Sequence, residues 1–449
     1  MKAGSIDSWT KNLTLLAVTT LPFRYGPIYL WPSILLTLIA ALLGLISFFK
    51  NKPPQELKKQ LYFWIKIFSF FFFFVLIGSI LKWVGYGVNY TDIKWTTIQF
   101  MLMGIYVLGF LLILYYAKNK IFRRRILIAF LSPLAFTPFI FMPEYAEKLG
   151  LVVGSMFHGL DQGPMEFARS IIIPITILLI LFVRTPKWIH KFIYLFGITL
   201  ASSLLLWSGI RASWIGATLI ILIILSIETI RKSRHKLRFV VPALLLLSLA
   251  GSTSYLILPH RAQISVLNRV FPQVIDNARP TKQIFQETTI KKALLEIREN
   301  PRPSLPYQSR GEIWPQAAKA LIRNPFGLGI NYHVGTNIII QKDAPTRAHN
   351  SILDVGLQGG IGALVIYLFL IWKQTQSLIF SKKKEVEWLI LGGAFGGLFI
   401  ISLVNGGLFG GNDLLLTALI ISLEQDTQGL NKAKEFCKEF KFWKRLRDN

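Results

Sequence analysis

The sequence predicts an all-α polytopic membrane protein of about twelve transmembrane helices, with one large, partly helical loop between the ninth and tenth. Three observations carry this. Hydrophobic residues make up 53% of the 449 positions. Mean hydropathy is +0.49, and the apolar runs repeat near the ~20 residues needed to cross a hydrocarbon core of about 30 Å. Lys and Arg gather in alternate connections between those runs, as the positive-inside rule requires.

In chain order the expected spans are 13–24, 28–49, 61–81, 96–117, 126–142, 168–183, 189–208, 212–228, 239–258, 351–372, 388–404 and 413–424. The stretch from Leu13 to Phe23 has no small-residue cleavage site and runs into the second span, so it reads as an uncleaved first helix. Segments 1–12, 50–60, 118–125, 184–191, 229–238, 373–387 and 424–449 hold 30 of the 50 Lys and Arg, which assigns them and both termini to the cytoplasm. The loop 259–350 then faces the periplasm or cell exterior. Four parts follow: 1–258 with spans one to nine, 259–350 as the outer catalytic loop, 351–424 with spans ten to twelve, and 425–449 as a basic cytoplasmic tail. In that tail Phe436, Phe440 and Trp443 interleave with lysines and arginines, the pattern of a segment lying on membrane lipids.

Composition also excludes classes. A net charge of +27 could indicate nucleic acid, but the charge is spread over short loops between spans, as topogenesis and an anionic leaflet demand. A nucleic-acid partner is not expected. A single cysteine, Cys437, precludes a disulfide framework, and six histidines without ligand spacing give no metal site. No cofactor is expected.

Topogenesis does not explain the outer loop, where residues 259–350 carry 13 Lys and Arg against 6 Asp and Glu. Positive charge beside a membrane exit fits an anionic ligand such as a diphosphate. Arg211 follows Trp207-Ser208-Gly209-Ile210 in a short turn at the outer interface. An arginine at mid-membrane costs about 3 kcal/mol, so it ordinarily has a partner or a watery cavity. Arg310 stands between Ser309 and Glu312, whose capping-box spacing predicts a helix over 310–323 with Trp314, Ala317, Ala318 and Leu321 on one apolar face. Pro315 removes one backbone donor from that helix, and Asn324-Pro325-Phe326-Gly327-Leu328-Gly329 ends it. His349 comes next, before Asn350 and Ser351, which are good N-cap residues for the tenth span. A neutral imidazole can take a proton from a sugar hydroxyl while arginines hold a diphosphate leaving group.

Three stretches together resemble the signatures of the bacterial O-antigen ligase and Wzy-type polymerase superfamily. They are Ile210-Arg211-Ala212-Ser213-Trp214; Ser309-Arg310-Gly311-Glu312-Ile313-Trp314 with the Asn324–Gly329 turn; and His349-Asn350-Ser351-Ile352-Leu353-Asp354 with the glycines up to Gly362. The resemblance is specific over about 200–362 and only architectural over the first 160 residues. It implies a GT-C-like, metal-independent, inverting glycosyltransferase of the bacterial inner membrane. The donor it implies is an undecaprenyl-diphosphate-linked glycan, and the acceptor a hydroxyl of the lipid A core or of a growing glycan. By motif match Arg211 and Arg310 contact the diphosphate and His349 activates the acceptor, with Asp354 as a possible orienter of the histidine. Asn350, Asp354, Arg169 at the start of the sixth span and Arg24 between the first two are candidate substrate contacts. Either of those last two arginines also fits an interfacial anchor.

The glycines Gly356, Gly359, Gly360 and Gly362 lie inside an expected span and read as packing positions, as do Gly392, Gly393, Gly396 and Gly397, and Gly406, Gly407, Gly410 and Gly411 at an outer turn. A flippase for lipid-linked oligosaccharides would also suit twelve spans, but the sequence shows no internal repeat and a flippase needs no basic outer loop of this size. Within the enzyme reading, the ligase is favoured over the polymerase.

Overall fold

A computed structural model describes residues 3–20, 30–51, 53–86, 90–141, 163–208, 211–231, 236–258, 310–330, 348, 350–380, 386–405 and 413–423. All regular structure among them is helical. The helices are α1 (Ala3–Thr20), α2 (Leu30–Asn51), α3 (Gln55–Tyr86), α4 (Tyr90–Tyr116), α5 (Lys120–Ala129), α6 (Pro138–Phe141), α7 (Gly163–Arg184) and α8 (Trp188–Ser208). They continue as α9 (Arg211–Arg231), α10 (Lys236–Ile257), α11 (Arg310–Arg323), α12 (Ser351–Phe380), α13 (Val386–Asn405) and α14 (Asp413–Leu423). Seven of them are long and apolar enough to cross a membrane, and Ala212–Glu228 and Asp413–Leu423 are shorter apolar helices. This is a helical, polytopic membrane architecture.

Side-chain pairing fixes which helix ends lie together. At one end, rich in Lys and Arg, Glu387 at the start of α13 accepts from Arg123 Nε (3.0 Å) and Arg124 Nε (2.8 Å) of α5. At the same end Arg184, closing α7, donates from Nη2 to Glu228 of α9 at 2.7 Å. Ser47 near the end of α2 donates to Asp7 of α1 at 3.2 Å. Helices α7, α9 and α13 then run side by side to the far end through small residues. A Cβ on Gly397 would lie 2.0 Å from Ile220 and 3.1 Å from Ile172, and one on Gly393 would lie 2.9 Å from Thr176. Gly216 faces Ile401 in the same way. These close approaches put α13 antiparallel to both α7 and α9. They also bring the starts of α7 and α9 level with the end of α13.

Helix α7 is the centre of the bundle: 89% of its span is buried, against 22–50% for the other six long candidate spans. Shielding from lipid explains how it keeps Arg169 and Pro174 within a spanning length. Around it Ile171, Ile172, Ile175 and Leu179 join one large core cluster with Leu204, Ile220, Ile224, Leu398 and Leu419. On the other flank Trp64 of α3 packs edge-on to Phe110 of α4 with centroids 5.3 Å apart and lies 6.4 Å from Phe369 of α12.

Two expected spans take another form. The apolar run 126–142 is not one helix where it is described: α5 ends at Ala129, a 3-10 turn covers Ser132–Phe136, and α6 follows. Pro133 and Pro138 lack the amide donors that a continuous helix would use. The tenth span is broken. Within α12, Gly359 and Gly360 leave helical geometry, with Gly360 at φ 71° and ψ −168°. The helix therefore divides into a first part, Ser351–Gln358, and a second, Ile361–Phe380.

Candidate functional site

The break in α12 has a partner. The turn that follows α11 lies against it, and three backbone hydrogen bonds cross the contact. Leu328 N donates to the Leu357 carbonyl at 2.5 Å, Gly329 N to Gln358 at 3.0 Å, and Ile361 N to Pro325 at 2.8 Å. Ile330 N donates to Ser79 Oγ of α3 at 3.3 Å. Carbonyls that a broken membrane helix would leave bare are thus satisfied by protein. The approach is close enough to require glycine. A Cβ on Gly360 would stand 2.1 Å from the Pro325 oxygen, and one on Gly78 of α3 would stand 2.6 Å from the Gln358 oxygen. Gly327 and Gly329, at φ 88° and 77°, supply the left-handed turns.

Helix α11 is clamped alongside the first part of α12. Trp314 Nε1 donates to the Ala348 carbonyl at 3.0 Å, and a Cβ on Gly356 would meet Leu321 at 2.8 Å. Residue 314 beside 348 and 321 beside 356 make the two segments parallel, so their N-termini point the same way. Ala317, Ala320, Leu328, Ala348 and Leu357 form the small core between them. The buried face is Ile313, Ala317 and Ala320, rotated one position from the expected one, with Ala318 only partly covered. The helix runs through Pro315 to Arg323 without interruption.

The break folds α12 back on itself. A continuous helix would hold Ser351 and Tyr367 about 24 Å apart. Instead the Ser351 hydroxyl lies beside that of Tyr367, within electrostatic range of Asp354, Arg169 and Asp413. Val355, Ala363 and Tyr367 accordingly share a cluster with Phe71 and Val75 of α3. Arg169, 1% exposed, donates from Nη2 to Ser402 Oγ at 3.1 Å and lies 3.5 Å from the Asp413 carboxylate. One buried polar group therefore joins α7, α12, α13 and α14 at the far end of the bundle.

The candidate residues distribute as follows. Arg211 is the first residue of α9 and Arg310 the first of α11. Their side chains, with His349 and Arg24, lie outside the described residues. Both chain neighbours of His349 are described: Ala348 is buried against α11, and Asn350 caps α12. Its Oδ1 accepts from Ile352 N at 3.0 Å and Leu353 N at 3.2 Å. Asp354 is buried, with its amide bonded to the Asn350 carbonyl at 2.7 Å. Arg169 is enclosed and ion-paired.

Residues 195–368, from within α8 to past the break in α12, match the family model described as O-antigen ligase. That match supports the O-antigen ligase and Wzy-type family for this stretch of the chain. Its members are glycosyltransferase-like enzymes of lipid-linked glycans, and the domain takes in all three signature stretches. No curated protein and no solved structure matches the chain.

Outside the matched domain, Gly78 and Ser79 of α3 and Arg169, Ser402 and Asp413 complete the far end. Sequence reading reached Arg169 because a cation there contravenes the positive-inside rule. Tyr367, Ser402 and Asp413 carried no comparable signal, since single polar residues in apolar runs are common. The glycines of the third signature were legible as special positions. For Gly356, which meets Leu321, and Gly362, which meets Phe74, the special role is packing. For Gly360 it is the break, a correction to the packing assignment.

Proposed function

We propose that the protein is an O-antigen ligase-type glycosyltransferase that moves a polysaccharide from undecaprenyl diphosphate to a hydroxyl of the lipid A core. The observation that supports this reading is that each of the three signature segments stands at the start of a helix. α9 and the parallel pair formed by α11 and the first part of α12 all begin with a signature residue. The fold-back of α12 brings the start of the third next to the buried group at the far end, level with the start of α9. A helix N-terminus favours an anion, and each signature stands at one.

In this reading His349 removes the proton from the acceptor hydroxyl as its oxygen attacks the anomeric carbon. The bond from that carbon to the diphosphate breaks, and the diphosphate leaves with the bonding electrons. Attack from the face opposite the leaving group inverts the configuration. Arg211 and Arg310 hold the developing charge, the role that a divalent ion fills in many soluble enzymes. Asp354, one turn into α12, orients the histidine, and the buried Arg169 supports the cavity wall. The far end is then the outer face of the inner membrane, and residues 259–350 form the loop that receives donor and acceptor. A polymerase that extends the glycan with the same site is the second reading, favoured by the family's inclusion of both activities.

The test is the surface-polysaccharide profile of cells carrying His349→Ala at native expression, with the lipid-carrier pool and the lipopolysaccharide extracted separately. Long chains stranded on the carrier above a bare lipid A core support the ligase. Single repeat units on the core without longer chains would assign the polymerase. An unchanged profile with the variant present in the membrane would remove His349 from the chemistry.

A further inference from the structure

The basic end of the bundle holds a cavity that the site above does not use. It lies between the first turns of α1, the end of α2, the start of α3 and the end of α4, and its volume is about 350 Å³. Lys11 of α1, Asn51 of α2, Leu57 of α3, Tyr115 of α4, and Lys118 and Asn119 before α5 line it. Asn51, Lys118 and Asn119 are exposed, so the cavity is open from outside.

Hydrogen-bond donors prevail around it. Lys11 Nζ is fixed by Asp7 at 2.5 Å and lies over the Tyr116 ring, 5.2 Å from its centroid. An ammonium has three hydrogens, and Asp7 engages one of them. Asn51 Nδ2 donates to Ser47 at 2.9 Å and keeps a second hydrogen. Asn119 Oδ1 accepts from Ile121 N and Phe122 N, which turns its amide donors away from α5.

Helix α5 continues the feature along the surface. Its exposed residues are Lys120, Ile121, Arg124, Arg125 and Ile128, which at about 100° per residue make a single face. That face carries three cations and no carboxylate, yet Ile121 and Ile128 are 65% and 66% exposed on it. Topogenesis explains basic residues in this connection. It does not explain bare isoleucines among them, or an open cavity where the helix begins. Cations mixed with uncovered apolar side chains on one helix face mark a segment that rests on phospholipid.

The lipid boundary also reaches the cavity wall. Phe49 of α2, 72% exposed, packs edge-on to Phe48, whose ring centroid lies 6.1 Å from that of Tyr115. Nearby acids do not balance the charge: Lys11, Lys118, Lys120, Arg123, Arg124 and Arg125 stand against Asp7, Glu56 and Glu387.

We propose that this cavity and the exposed face of α5 bind an anionic phospholipid from the leaflet at the basic end. The headgroup phosphate enters between Lys11, Lys118 and the two asparagine amides, and the acyl chains lie along Phe49, Ile121 and Ile128. Basic pockets between spanning helices suit such headgroups. The site is independent of the transferase reading, because it lies at the opposite end of the bundle from the buried Arg169 group.

The experiment titrates the full-length protein in detergent with phosphatidylglycerol, read by native mass spectrometry, with phosphatidylcholine and glycerol phosphate as parallel probes. Phosphatidylglycerol should bind saturably, more tightly than phosphatidylcholine, and should raise Tm. Lys118→Gln and Arg125→Gln should each weaken it about fivefold, the contribution of one cation near an anionic surface. The Tm of both variants without lipid should match the wild type. Lys191→Gln is the control, since Lys191 belongs to α8 at the same end with its ammonium over the Trp188 ring, and it should keep full affinity. Equal affinity for the two lipids, or wild-type affinity in both variants, would overturn the proposal. An equal loss in Lys191→Gln would also overturn it, by reducing the effect to general attraction to a cationic face. Glycerol phosphate bound as tightly as the lipid would assign the cavity to a soluble phosphate ester instead. A lowered Tm in both variants without lipid would make the two cations structural and sink the assignment.

Discussion

Gly360→Ala tests whether the break in α12 is what shapes the site. Alanine at φ 71° and ψ −168° occupies a region essentially reserved for glycine, which costs about 1–3 kcal/mol. Its Cβ would also fall 2.1 Å from the Pro325 oxygen and 2.6 Å from the Phe326 carbonyl carbon. Backbone atoms cannot swing aside as a side-chain tip can, so overpacking adds about 1–3 kcal/mol more. A local penalty of about 4 kcal/mol exceeds the three backbone hydrogen bonds across the break, each worth about 1 kcal/mol net. The clamp should open, and alanine's helical preference would then draw Ser351 away from Tyr367. Transfer of glycan in reconstituted vesicles should fall more than about 100-fold, the equivalent of ~2.8 kcal/mol in the barrier. Tm should fall by several degrees. Gly396→Ala is the control, since nothing lies within 4 Å of a Cβ built there. Wild-type transfer and wild-type Tm in Gly360→Ala would refute the argument, because the chain would then tolerate a side chain where the geometry leaves no room.

Other substitutions probe the charged contacts. Arg169→Met strands the buried Asp413 and should destabilise by about 3–5 kcal/mol, while Arg169→Met with Asp413→Leu should recover most of that loss, as read by thermal unfolding. At the basic end Arg123 and Arg124 share Glu387, yet the Arg124 side chain is 62% exposed and that of Arg123 only 2%. Arg124→Ala should therefore cost less than about 1 kcal/mol, whereas Arg123→Ala leaves Glu387 short of its buried partner and should cost about 3 kcal/mol or more. Chemical denaturation of the two variants side by side measures the difference.

Much of the architecture was legible because membrane constraints are strict. Apolar length and the alternation of basic loops located the long helices, and capping chemistry placed α11 at residues 310–323, the bounds observed. The break in α12 was not legible. Residues 351–372 satisfy every criterion for a span. What overrides them is the turn after α11, together with Gly78 and Ser79, which lie about 280 positions earlier in the chain. Periodicity reports on neighbours in sequence and is silent about such partners. The proline-rich run 126–142 failed for a more local reason, since hydropathy registered its apolar residues and not the missing donors of Pro133 and Pro138. Arg169 was recognised as out of place by charge, but its partners, Ser402 and Asp413, come from helices that sequence spacing cannot bring to it.

The clamp on α12 also bears on biosynthesis. During insertion α3 enters the membrane early, presenting Gly78 and Ser79 to a partner not yet made. The turn after α11 emerges next, and the segment it must hold open follows about 30 residues later. Left alone, that segment has the hydropathy to thread the bilayer as an ordinary span. Only when all three have met can it be bent back, so a nascent chain halted before Gly360 is a membrane protein without a working centre. Competence arrives last, and a cell that degrades stalled chains loses no finished site by doing so.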